Sequence, residues 1–134
     1  VIQDDTMMLE WLGLAAGCAL GGMARVFVSR LVGERGLQMP WNTLVVNASG
    51  ALLIGLLAGG LSGSAALAAS PLGLALGIGF LGSYTTVSTF SLQTLALLQA
   101  GHRRAALGNI ALSLALCLPA AGAGMAVAQL LSAQ

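Results

Sequence analysis

Four long apolar stretches, separated by short polar ones, run through the 134 residues: roughly Trp11–Ser29, Trp41–Leu61, Pro71–Gln99 and Ala105–Leu131. A helix needs about 20 mainly apolar residues to cross a bilayer. The pattern therefore predicts an all-α membrane protein with four transmembrane helices, residues 1–134 forming one membrane domain with almost nothing outside the lipid. The small and polar positions inside these stretches follow a rhythm. In the first, "GLAAGCALGGMAR" places Gly13, Gly17 and Gly21 at every fourth residue, a face along which another helix can approach closely. In the second, "WNTLVVNASGALLIG", Thr43 and Asn47 are four apart and Gly50 follows three later, so a polar side runs through an apolar helix. In the fourth, Asn109, Ser113 and Cys117 share one face at four-residue intervals, and Pro119 predicts a kink.

The third stretch is nearly thirty residues long, more than a straight crossing requires. At its middle lies "GFLGSYTTVSTFS", Gly79 to Ser91, where two glycines and a run of β-branched and hydroxyl residues have poor helix propensity. This predicts a third helix broken at its centre. A break exposes main-chain carbonyls and amides, which membranes tolerate only where they face protein or a polar cavity, and such places mark ion sites. The connector "RLVGERGLQMP" reads as an exposed loop that ends at a helix start, and "SGSAALAAS" as a small-residue linker into Pro71, a favourable first-turn residue.

Composition strengthens the membrane reading: 57% of residues are hydrophobic and 7% charged, with a mean hydropathy of +0.93, too little polar surface for a water-soluble domain. The first stretch is expected to remain as a span, because Asp4, Asp5 and Glu10 stand where a cleavable signal would carry basic residues. Cys18 and Cys117 both fall within spans and lack metal-ligand spacing. Lysine is absent, and the basic residues are Arg25, Arg30, Arg35, Arg103 and Arg104. With four spans these share one side, the termini and the loop Ser62–Ser70 the other, so positive-inside bias favours an outside N-terminus. Arg25, near the end of the first span, can snorkel to the interface or pair with a carbonyl. His102, beside two arginines in a short loop, is read as facing solvent or headgroups.

The spans hold no carboxylate pair, no His/Cys cluster and no nucleophile with a neighbouring base, so an enzyme is not expected. Proton-coupled export needs an ionisable group within the membrane, and Glu10 sits only at the edge of the first span. What remains is a set of neutral donors: the amide of Asn47, the hydroxyls of Thr43, Ser88, Thr89, Ser91 and Ser113, and the positive edge of the Phe90 ring. Such groups suit a small anion that must enter and leave. Each hydroxyl has the alternative of bonding a carbonyl in its own helix.

Taken together, "GGMAR" in the first span, "WNTLVVNASG" in the second, and above all the GxxTTxSTFS core of the third resemble the small four-span fluoride channels of the CrcB or Fluc family, over nearly the whole chain. The resemblance implies passive fluoride export that relieves fluoride toxicity, from a bacterial inner membrane. It implies a dual-topology dimer of two antiparallel subunits, two fluoride pathways along their interface and a sodium ion at the centre. Position by position, it makes Asn47 the pore-facing amide, Phe90 the second of a pore-lining phenylalanine pair, and Gly82 and Thr85 carbonyl donors to sodium. Ser113 and Cys117 fall on a polar track of span four that Thr43 joins, with Ser88 and Thr89 also along the pathway. Three positions depart from the family: Val87 stands where the first phenylalanine is expected, Asn42 replaces a glycine, and Asn109 replaces a tyrosine and offers a substitute donor.

The expected partners are fluoride, membrane lipid and a second copy of the chain, with no nucleic acid. The one-sided arginines leave a heterodimer with an oppositely oriented paralogue as the alternative. Two other readings stand beside the channel: a small multidrug-type dual-topology transporter, which would need the missing intramembrane carboxylate, and a non-transporting assembly factor that uses its glycine faces to pack against partners.

Overall fold

The computed structural model describes residues 2–33, 39–61 and 70–133, with side chains from residue 7 onward. Most of the first connector, including Arg35, the linker 62–69 and the side chains of Asp4 and Asp5 lie outside the described residues. Every regular element described is helical: α1 is Ile2–Val32, α2 is Trp41–Leu61, α3 covers residues 71–84, α4 is Val87–Gln99 and α5 is Arg103–Ser132. Four segments are long and apolar enough to cross a membrane, Met7–Val32, Trp41–Leu61, Pro71–Gln99 and Arg103–Ser132, the third being α3 and α4 in succession. The predicted spans are thus present, and helix continues beyond the apolar limits at the first and fourth.

Local chemistry explains where these helices begin and stop. Gly33, at φ +62°, closes α1 in the left-handed conformation that glycine adopts without a Cβ clash. Ser70 opens α3 by accepting the Gly73 amide at 3.1 Å, with Pro71 in the first turn. Gly101, at φ +80°, ends α4, and the following His102 amide reaches back to the Leu97 carbonyl at 2.8 Å. The helix α5 continues unbroken through Pro119.

Two helix pairs build the molecule, α2 with α5 and α1 with α3, and a narrower α1–α2 contact joins them. Glycine makes both crossings. A Cβ on Gly17 would run into the Ala75 carbonyl and one on Gly21 into the Phe80 carbonyl, so the glycine face of α1 is the surface that seats α3. Across the other pair, Gly55 lies against the Ala121 carbonyl and Gly124 against that of Leu52. Lipid tails are as apolar as leucine, so close main-chain approach, rather than water exclusion, is what holds such helices together.

The third span is interrupted, at a different place from the glycines. Ala75–Leu81 winds as a π-helix, with the Gly82 amide reaching the Gly77 carbonyl five residues back, and Gly82–Tyr84 returns to α geometry. Gly82 itself is helical, at φ −63° and ψ −35°. The chain leaves the helix at Thr85 (φ −77°, ψ 159°) and Thr86 (φ −149°, ψ 114°), both extended. Gly79 serves packing instead: a Cβ there would sit 2.9 Å from the Leu14 carbonyl of α1. The hydroxyl pair, not the glycines, marks the break.

Candidate functional site

An interrupted helix leaves main-chain groups without partners. At this break they are met by side chains. The Asn47 amide of α2 donates through Nδ2 to the Thr86 carbonyl at 2.9 Å and accepts the Thr86 N–H on Oδ1 at 2.8 Å. One side chain thereby satisfies both main-chain groups of the most extended residue, as a neighbouring strand would. In a continuous helix the Thr86 amide would instead bond the Gly82 carbonyl. One N–H of Asn47 remains beyond this pair of bonds.

Thr86 also caps α4. Its hydroxyl accepts the Thr89 amide at 3.2 Å, donates to Thr89 Oγ1 at 2.9 Å and lies 3.2 Å from Ser88 Oγ. A threonine hydroxyl has one proton. With that proton on Thr89, Ser88 is the donor to Thr86, and the Thr89 proton is left to point elsewhere. On the opposite side of the break, Thr85 closes α3 by donating its hydroxyl to the Leu81 carbonyl at 3.0 Å. Its methyl occupies the space a Cβ on Gly50 would need, which explains a glycine at that position of α2. Ser49 donates to its own helix at the Val45 carbonyl, 2.7 Å, so the Tyr84 hydroxyl is the donor across the 2.8 Å contact with Ser49. The Tyr84 ring in turn stacks on Phe80 with centroids 6.1 Å apart.

Beside this junction lies a cavity of about 540 Å³. Arg25, Ser29 and Arg30 of α1 form one wall, Asn42 and Thr43 of α2 another, and Thr86 and Thr89 the side at the break. Arg25 is half-buried, and neither it nor Arg30 forms an ion pair among the described residues. Two guanidinium groups above a hydroxyl surface attract an anion without closing on it. Asn42 accepts the Thr43 amide on Oδ1 at 2.8 Å, which orients its side chain at the cavity wall.

The structure thus brings Thr43, Asn47, Ser88 and Thr89 together around Thr86, a residue of the third-span motif to which the sequence alone assigned no role. Its signal was available as a hydroxyl at the N-cap of α4. Phe90 is half-buried one residue further on. Asn109 is 1% exposed and donates to Thr94 rather than to the cavity, at 2.9 Å. Ser113 and Cys117 follow it along α5, half-buried and away from the cavity walls. Gly82 and Val87 are both exposed, Val87 at 76%. Arg25, Arg30 and Ser29 were not read as one site, because their convergence depends on how α1 crosses α2 and the break.

A family model described as "CrcB-like protein, Camphor Resistance (CrcB)" matches residues 12–125. The chain is 44% identical over 119 residues to "Fluoride-specific ion channel FluC 2" of Bradyrhizobium diazoefficiens, covering 87% of each. It is 44% identical over 123 residues to a protein of that name from Rhodopseudomonas palustris, covering 90% of this chain and 94% of the relative. Over 110 residues it is 44% identical to "Fluoride-specific ion channel FluC 3" of Brucella suis, covering 81% of this chain and 83% of the relative.

Proposed function

The chain belongs to the CrcB family, and on that premise we propose that it is a fluoride-selective channel through which fluoride leaves a bacterial cell passively across the plasma membrane. It is an integral membrane protein and not an enzyme. The observation that carries the reading is the 44% identity, along most of the chain, with relatives named for fluoride conduction. The junction at Thr86 supports it physically. Fluoride is small and strongly hydrated, so a pathway must replace its water shell with close donors while binding weakly enough to release it. The spare Asn47 N–H, the Thr89 proton and the arginine-walled cavity are donors and charge of that kind, with no carboxylate in the cavity wall among the described residues.

The pathway proposed runs from the cavity past Thr43, Ser88 and Thr89 to Asn47 and Phe90, with Ser113 and Cys117 further along. Half-buried Asn47 and Phe90 and the exposed Val87 lie at the surface of the single chain. A second copy would enclose them, which favours the antiparallel homodimer. A heterodimer remains the second arrangement, since the relatives' numbered names distinguish sibling proteins and the arginines are one-sided. Sodium fits the same junction. With the Thr86 amide taken by Asn47, the Gly82 carbonyl loses its helical partner, and carbonyls at the C-terminal end of a helical segment carry partial negative charge. Gly82 and Thr85 would hold the ion through such neutral oxygens. When bound it supplies a fixed positive charge beside the break.

Reconstitution tests the reading. The purified chain in potassium fluoride-loaded liposomes, with valinomycin to carry potassium and no proton gradient, should release fluoride rapidly to an external electrode. Release no faster than from protein-free liposomes would overturn it.

A further inference from the structure

Asn109 sits on the helix face that the channel reading treats as a polar track, yet its surroundings are those of a structural joint. It is 1% exposed, and Ala106, one turn earlier on α5, is wholly buried. Its Nδ2 donates to Thr94 Oγ1 at 2.9 Å, and Thr94 Oγ1 donates to the Phe90 carbonyl at 2.7 Å. The direction is fixed by valence. Asn109 fills an acceptor site of the hydroxyl, and the hydroxyl's only proton goes to Phe90.

Thr94 is the only buried residue of α4. That helix leans mainly on α5, and no other side-chain hydrogen bond joins the two among the described residues. The rotation of α4 about its own axis therefore depends heavily on one contact. Phe90 lies one turn before Thr94 on the same face, so whatever sets Thr94 also sets the direction of the Phe90 ring. Buried polar ties of this kind select one packing among several that apolar contacts alone would permit.

We propose that Asn109 is a positioning residue that orients Phe90 through Thr94, and not a donor to the transported anion. This rests on the fluoride-channel reading and gives Asn109, which stands where the family's tyrosine is expected, a role of its own. Thr94 belongs to the conduction machinery only through this relay.

Fluoride efflux from liposomes carrying the full-length chain separates the possibilities, read as two quantities. The rate constant reports the pore, and the fraction of vesicles emptied reports how much protein is folded and inserted. Asn109→Leu and Thr94→Val should each lower the rate constant about five- to tenfold, the scale of one lost hydrogen bond. The double variant should fall no further than about twofold below either single one. Thr94→Ser, which restores the hydroxyl, should recover most of what Thr94→Val loses. In a Phe90→Leu background, Asn109→Leu should change the rate constant by less than about twofold.

A multiplicative loss in the double variant, or a further fall in the Phe90→Leu background, would mean that Asn109 meets the anion directly and would overturn the relay. A loss confined to the emptied fraction would overturn it too, leaving Asn109 a folding residue. Absence of efflux from the unmodified chain would overturn the channel reading and the relay with it, whereas the preceding outcomes reject the relay alone.

Discussion

Asn47 shows how one side chain can make an unfavourable backbone permissible. Within lipid, an unpaired amide or carbonyl costs several kcal/mol, and Thr86 would have both without the two bonds from Asn47. Asn47→Leu should therefore destabilise the protein by about 2 to 6 kcal/mol, counting roughly 1 to 3 for each of the two stranded groups, and abolish fluoride efflux. Thermal unfolding in detergent and liposome flux check the two halves. Arg25 makes a different contribution, through a charge at the cavity wall that forms no ion pair among the described residues. Arg25→Gln should slow fluoride entry at low ionic strength, and the deficit should shrink as an inert salt is added, because screening removes what the charge supplied. Phe90→Leu should slow efflux while leaving the elution volume on size exclusion unchanged.

At the level of the helices, close approach is the common device. The carbonyls of Ala75 and Phe80 rest where Gly17 and Gly21 have no Cβ, and this contact places α3, and hence the break, beside α1. Gly21→Ala should cost about 1 to 3 kcal/mol through overpacking and lower the unfolding temperature. Gly22, where an added methyl would meet open space, is the control that should tolerate alanine. The glycine rhythm of α1 was legible as a packing face because a four-residue period requires only a helix. The exact break was not. The run from Gly79 to Ser91 holds helix poorly throughout; within it Gly79 is held helical against Leu14, while Thr85 and Thr86 leave the helix where Asn47, far away in sequence, offers partners. Propensity describes a chain alone, and tertiary hydrogen bonds outweigh it.

For the whole molecule, the exposed apolar surface is the rule expected in lipid, with Val87 at 76% and Leu118 at 69% exposed. A homodimer should form when the chain is purified by itself, and cross-linking in liposomes should trap antiparallel pairs that conduct. Transfer to sodium-free buffer should lower the unfolding temperature of that dimer, and sodium, restored, should recover it, through preferential binding to the folded state. The one-sided arginines oppose equal insertion in both directions. Reporter fusions at Gln134 should nevertheless be found on both sides of the membrane if the homodimer is the working form.

Length, hydropathy and periodicity were sufficient for the four crossings and the glycine faces, since each depends only on neighbours within a few turns. Even the weakness of the third helix was written locally, in a run of residues that hold helix poorly. Only the folded chain decided that Thr86 would be the residue set free, that Asn47 would clamp it, that Arg25 and Arg30 would overlook it, and that Asn109 would spend its amide on Thr94. Those are contacts between helices, whose partners are chosen by crossing geometry, and no periodicity along one helix encodes which residue of another it will meet.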